Sequence, residues 1–196
     1  MKKLAGEKAA EFVRDKMVIG LGTGSTAYWA TQAIGKRVSE GLQIGAVATS
    51  VDTEAMAREL GIPILSFSDV QSIDLTIDGA DEVDPHFNLI KGGGGALMRE
   101  KLVAFNSRQY IVVVDESKMV QQLGIFPLPV EILPFGWELT LMQLKKICSH
   151  AQLRQKDGQL FTTDNGNLIA DLTCLAITNP EQLNEDLHRI PGVLET

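Results

Sequence analysis

Apolar positions along the first 125 residues switch repeatedly between two periods. Ala5, Ala9, Phe12 and Val13 recur at helical spacing, Met17 to Leu21 is a short continuous apolar run, and Ala27, Ala30, Ile34 and Val38 resume the helical period. The same alternation continues with a strand at 43–48, a helix at 52–60 stopped by Gly61, and a strand around 63–67. It closes with the buried-type run IDLTI at 73–77, a helix at 95–105 and the very apolar strand 110–114. Strand and helix in strict alternation predict a doubly wound, mostly parallel sheet. The pattern changes at Phe126, where FPLPVEILP places three prolines in nine residues, as an extended connector or edge strand would. Beyond it the periodicity predicts a helix at 138–148, a strand at 152–155, turns at Asp157-Gly158 and Asn165-Gly166, a strand at 168–172 and a helix at 180–190. The expectation is an α/β chain of two domains, a parallel-sheet domain over 1–125 and a small α+β domain over 126–196.

Three of the predicted strands run directly into polar or glycine-rich turns, GTGST, DGADE and DESK. In an open parallel sheet the carboxyl ends of the strands share one edge, where ligands collect. The richest stretch is 78–100, DGADEVDPHFNLIKGGGGALMRE. Asp78, Asp81, Glu82 and Asp84 crowd one turn, Lys91 is the nearest cation, Gly92 to Gly95 leave the backbone bare, and Glu100 follows on a helix. A carboxylate, an ammonium and free amides suit proton transfer beside a carbonyl, because the oxyanion that develops needs fixed donors. An acidic metal-binding or solvated loop is the competing account, although the spacing lacks the glycine and glutamate positions of an EF-hand. GTGST, opening a helix, is a phosphate cradle in principle. It lacks the P-loop lysine and the dinucleotide G-x-G-x-x-G spacing, so a plain Ser/Thr-capped turn explains it equally well. Lys118 in DESK is a second candidate cation, or a solvent-facing lysine.

DGADE followed by KGGGGALMREK, with GTGSTA at 22–27, DESK at 115–118, FPLPVE at 126–131 and TDNGN at 163–167, resembles the ribose-5-phosphate isomerase A family. The resemblance runs through most of the chain. It implies a Rossmann-like domain with a smaller ferredoxin-like domain, and a cofactor-free, metal-free aldose–ketose isomerisation of ribose 5-phosphate and ribulose 5-phosphate in the pentose phosphate pathway. By the same resemblance Glu100 is the base that shuttles the proton. Asp78 and Asp81 handle ring opening and hydroxyl positioning, and Lys91 polarises the reacting oxygen. Thr23, Gly24, Ser25 and Thr26 form the ligand-binding turn, Gly92, Gly93 and Gly94 supply backbone contacts, and Lys3 and Lys118 contact substrate, Lys3 at the phosphate. Glu82 and Asp84 are supporting or solvated. A homodimer or homotetramer is implied as well. The family usually continues past the PGV motif with strand structure that returns to the first domain, and that return is missing from this sequence. The alternatives are a non-catalytic sugar-phosphate sensor on a related fold, which has no need for Asp78, Asp81, Lys91 and Glu100 together, and a coenzyme A transferase, which needs a longer chain.

Composition adds exclusions. A net charge of −7 argues against a general nucleic-acid binder, since phosphate neutralisation needs dominant basic patches. No window reads as a membrane span, and KKLAGEKAAEFV is not a signal peptide, so the cytoplasm is the expected compartment. Cys148 and Cys174, without C-x-x-C spacing, are expected to be reduced and packed as small apolar residues. His86, His150 and His188 are scattered, and Trp29 and Trp137 are expected in packing.

Overall fold

The computed structural model describes residues 1–196. The chain opens with α1 (Lys2–Ala10), β1 (Val18–Leu21), α2 (Ala27–Ser39), β2 (Gly45–Ala48), α3 (Val51–Glu59) and β3 (Leu75–Asp78). Two short strands, β4 (Glu82–Val83) and β5 (Leu89–Ile90), precede α4 (Leu97–Phe105) and β6 (Tyr110–Val112). Then come β7 (Leu128–Ile132), α5 (Trp137–Ile147), β8 (His150–Leu153), β9 (Gln155–Lys156) and β10 (Gln159–Leu160). The chain finishes with β11 (Leu168–Thr173), α6 (Pro180–His188) and β12 (Val193–Glu195). None of the helices is long and apolar enough to cross a membrane.

Two compact units result, Met1–Gly79 with Arg99–Ser117, and Ala80–Met98 with Lys118–Thr196. This differs from the division at 125/126 expected from the proline-rich stretch. The reason is pairing that no local signal announces. The Glu82 carboxylate, 3% exposed, accepts the Gly124 and Phe126 amides at 2.7 and 2.5 Å, and Val120 N donates to Val83 O at 2.9 Å. Ile90, Leu123 and Ile177 pack together behind them. Residues 80–98 and 118–125 therefore fold with the later part of the chain.

In the first unit the sheet order is β2-β1-β3-β6, with every pair parallel. Central strands buried on both faces need apolar residues at consecutive positions, which is why Ile19, Leu21, Leu75 and Ile77 are all at most 3% exposed. Ile34 of α2 and Ala57 of α3 complete this core. The strand expected around 63–67 is reduced to one bridge, Ala46 with Ile64, and gives way to a 3₁₀ turn at Phe67–Asp69. Pro63 lacks an amide and contributes only its carbonyl, which accepts from Ala46 N at 2.8 Å. Ser50, just before α3, caps the helix by accepting from Thr53 N at 3.2 Å.

The second unit carries a four-stranded antiparallel sheet ordered β12-β7-β11-β8. With α5 after β7 and α6 after β11 the connectivity is βαββαβ, the ferredoxin-like arrangement. Val130, Ile132, Leu144, Ala170, Leu172 and Leu187 are fully buried within it. Cys148 and Cys174 also belong here, and they form a disulfide with Cα atoms 4.8 Å apart, which corrects the expectation of two reduced thiols. Residues 26 apart in sequence become neighbours because β8 and β11 pair with His150 opposite Thr173, so the positions just beyond each strand face one another.

Candidate active site

In the first unit the GTGST turn leaves the end of β1 beside the end of β3. Gly22 donates to Ile77 O at 2.9 Å, and a Cβ placed on it would lie 2.2 Å from Asp78 Oδ1, so only glycine admits the carboxylate this close. Asp78 is fully buried. Its Oδ1 accepts the Thr23 and Gly79 amides at 3.1 and 2.7 Å, and its Oδ2 accepts the Tyr110 hydroxyl at 3.1 Å. Asp78 thus pins the turn to the sheet. From the other side the Thr23 hydroxyl meets Thr49 at 2.8 Å and Ser50 at 2.9 Å, and Thr53 Oγ1 donates to Gly22 O at 3.2 Å. Gly24 bends the chain at φ +115°, after which Ser25 is exposed and Thr26 stands at the start of α2 without a side-chain capping bond. Two threonines, a serine and a tyrosine distant in sequence therefore shape the turn, and no spacing rule would have found them.

A lysine does reach the turn, but it is Lys2. Its Nζ donates to Ser25 Oγ at 2.8 Å and stands 3.8 Å from Asp115 Oδ2. Lys3, expected at this position, lies over the Trp29 ring at 5.5 Å and beside Glu7 at 3.8 Å. Successive helical residues point about 100° apart, so a shift of one position exchanges the face presented. Glu100 falls in the first turn of α4 and is 3% exposed, whereas a surface acid between Arg99 and Lys101 would be open to water.

The second unit holds the other candidates. Asp81 N donates to Ile90 O at 2.7 Å, and its Oδ2 accepts the Gly93 amide at 2.7 Å. A Cβ on Gly93 would sit 2.4 Å from Asp81 Oδ1, so a larger residue there would displace the Asp81 carboxylate. Gly92 and Gly95, at φ +98° and +84°, close a turn in which Gly95 N donates to Gly92 O at 2.9 Å. Gly93 and Gly94 are exposed and Lys91 is half-buried at the start of this turn. Lys118 is also half-buried, its Nζ 5.6 Å from the Phe126 ring, so it is not the solvent-facing lysine its sequence context allowed. Glu82 and Asp84 are buried supports, and the solvated alternative is excluded for both.

Asp84 accepts the His86 and Asn88 amides on Oδ1 at 2.9 and 2.8 Å and the Asn88 side chain on Oδ2 at 2.8 Å. Burial alone would push this carboxyl up, but those hydrogen bonds and the nearby charge of His86 outweigh it and hold the group below its ordinary value of 3.8. A depressed folded pKa contributes stability above the unfolded value and loses it as pH falls through the folded one. Asp84→Asn is therefore expected to cost stability at neutral pH and little in strong acid, which urea melts across the acid range will read. No three His, Cys, Asp or Glu side chains cluster as a metal-ligand set.

A family model described as Ribose 5-phosphate isomerase A (phosphoriboisomerase A) matches residues 45–196. The ribose-5-phosphate isomerase A of Bacillus mycoides is 53% identical over 199 residues, covering 100% of this chain and 89% of the relative. Among solved structures, a D-ribose-5-phosphate isomerase in complex with phospho-erythronic acid superposes with a TM-score of 0.94 at 40% identity, covering 99% of this chain and 87% of that one. The enzyme from Methanocaldococcus jannaschii gives 0.93 at 37% identity, covering 99% and 88%. A strand-end acid pinning a glycine turn, a second acid held by a glycine amide, and a buried glutamate on the following helix thus occur in a chain with full-length isomerase relatives. The chain belongs to the ribose-5-phosphate isomerase A family, whose reaction interconverts ribose 5-phosphate and ribulose 5-phosphate.

Proposed function

We propose that Glu100 is the base of this isomerisation, and the observation that carries the assignment is its burial at the head of α4, immediately after the glycine turn. A carboxylate kept from bulk water is a poorly solvated, effective proton acceptor. In the proposed sequence the furanose ring opens, with Asp81 handling the hydroxyl proton. Glu100 then takes the proton from C2 of the aldehyde, leaving an enediolate; the O2 hydroxyl proton passes to O1, and Glu100 returns its proton to C1 to give the ketose. Lys91 stands as the ammonium that compensates the charge growing on the oxygen, with the Gly93 and Gly94 region offering backbone donors. Asp78 serves mainly as the organiser of the GTGST turn, given its three donors and complete burial. Lys118 contacts substrate from its position near Phe126. The reaction requires neither metal nor cofactor, so full turnover should persist in excess chelator.

The phosphate is assigned to Ser25, Thr26, the amides that open α2, and Lys2 in place of Lys3. Lys2→Ala is expected to weaken binding of the phosphorylated sugar by the worth of one charge-assisted contact, roughly 1.5–3 kcal/mol, seen as a raised KM with kcat less affected. Lys3→Ala, measured beside it, should leave KM nearly unchanged. The reverse ranking would return the role to Lys3.

Phospho-erythronic acid, bound by a relative, has a planar anionic carboxylate where the enediolate would carry its charge. It is accordingly the expected competitive inhibitor here. The direct test of the whole proposal is ketose formation from ribose 5-phosphate with that compound as competitor. Absent turnover, or turnover indifferent to the compound, would sink it. A sugar-phosphate sensor is not favoured, because the full-length relatives are isomerases. We place the enzyme in the cytoplasm as a homodimer or homotetramer, following its family.

A further inference from the structure

We infer that Arg154 is a positioning residue for the isomerisation, acting on the glycine turn through two backbone carbonyls. The guanidinium Nη1 donates to Gly92 O at 2.8 Å and to Gly93 O at 3.1 Å. Its other edge is locked by Asp171, with Nε on Oδ2 at 2.9 Å and Nη2 on Oδ1 at 2.5 Å. The pair is mostly enclosed, at 14% and 19% side-chain exposure, so this is not a solvated surface bridge of the kind that contributes little. The Arg154 backbone is fixed on both sides, its N donating to Ile169 O at 2.8 Å and its O accepting from Phe161 N at 2.9 Å. Phe161 lies 5.8 Å from the guanidinium carbon and fits against Gly95 so tightly that a Cβ there would fall 2.4 Å from the ring.

The consequence follows from peptide geometry. In a planar trans peptide the carbonyl and the next amide point in opposite directions. Drawing Gly92 O towards the guanidinium therefore aims Gly93 N–H the other way, at Asp81 Oδ2, 2.7 Å distant. Drawing Gly93 O the same way turns Gly94 N–H outward, away from Arg154. A cation on the carbonyl side also polarises both peptide groups and makes their amides stronger donors. Arg154 thus sets the direction of one amide that orients an acid and of another available to an oxyanion. Glycines have no side chains to hold a turn in shape, so this one is held from behind.

The inference rests on the proposed role of Asp81 and the glycine turn, and the test separates the two. In the complete enzyme, Arg154→Ala is expected to lower kcat on ribose 5-phosphate by roughly 10²-fold, the scale of a misplacement of about 1 Å. KM and inhibition by inorganic phosphate should change far less, because the phosphate contacts lie on the first unit. Arg154 and Asp171 line an open cavity of about 630 Å³, so free guanidinium at low concentration can reach the vacated place and should restore part of the lost turnover. Sodium ion should not. Arg154→Lys keeps the charge and most of the bulk but cannot hold two carbonyls and a carboxylate in one plane, so it should show the same kcat defect if the alanine variant is poorly folded. Wild-type kcat in folded Arg154→Lys, or a loss in Arg154→Ala that follows the unfolded fraction and ignores guanidinium, overturns the inference. If Asp81→Asn is impaired while the Arg154 variants are fully active, the site stands and the positioning role falls. If Asp81→Asn is also fully active, both fall together.

Discussion

Replacing Glu100 by glutamine is expected to reduce kcat by on the order of 10²–10⁴-fold while KM for ribose 5-phosphate stays close to the wild-type value. The substitution preserves shape and most hydrogen bonding but removes the basic carboxylate, so the carbon-bound proton has no acceptor of adequate strength. The phosphate contacts are assigned to α1 and the GTGST turn, which the change does not touch. A loss confined to turnover marks an interaction used in the transition state and not in ground-state binding. Because Glu100 is 3% exposed, circular dichroism and thermal melting must accompany the kinetics, and a folded Gln variant with normal turnover would remove this residue as the base. Exchange of the C2 proton with solvent deuterium gives a second reading. It should fall in parallel with ketose formation if Glu100 carries that proton.

Lys91→Met should be nearly as damaging, with kcat falling by roughly 10²–10³-fold, the loss typical when one preorganised donor to a developing oxyanion is removed. Methionine retains much of the length and apolar stem of lysine, so the half-buried segment before the glycine turn keeps its packing. The distinguishing measurement is inhibition by phospho-erythronic acid. A cation serving the enediolate binds a carboxylate mimic more strongly than it binds the neutral carbonyl of the substrate, so the Met variant should lose affinity for the inhibitor more than for ribose 5-phosphate. Equal losses for both would make Lys91 a general substrate contact, and no loss would dismiss it.

Much of the fold was legible in the sequence. The alternation of β1 to α3 could be read because strands covered on both faces must be apolar at successive positions, and because glycine turns mark where they end. Asp78, Asp81, Lys91 and Glu100 stood out as residue types that a structural segment rarely needs together. What stayed hidden has a common cause in non-local pairing. Glu82 looked like one acid among four until its carboxylate met the amides of Gly124 and Phe126. The partnership of Cys148 with Cys174 depended on the register of β8 against β11. Lys2 and Lys3 are equivalent in a string of letters and differ only once α1 has a direction. Arg154 lies inside the strand expected at 152–155, and nothing local ties it to glycines some sixty positions earlier.

The chain passes between its two units three times, after Gly79, after Met98 and after Ser117. During synthesis the first unit has all of its residues once Ser117 has emerged, whereas residues 80–98 must wait for partners as late in the chain as Ile177. An order of maturation follows, with the parallel sheet able to form early around a long, still unpaired excursion. Shortening the gene at residue 125, where the prolines suggest a seam, would not release a self-sufficient fragment. It would strand β4 and β5 without Ile177 and leave one of the two amides that hold Glu82 unmade. A fusion or split-reporter design would therefore find no tolerant break there, and exposed turns such as Asp157-Gly158 are the better places to cut.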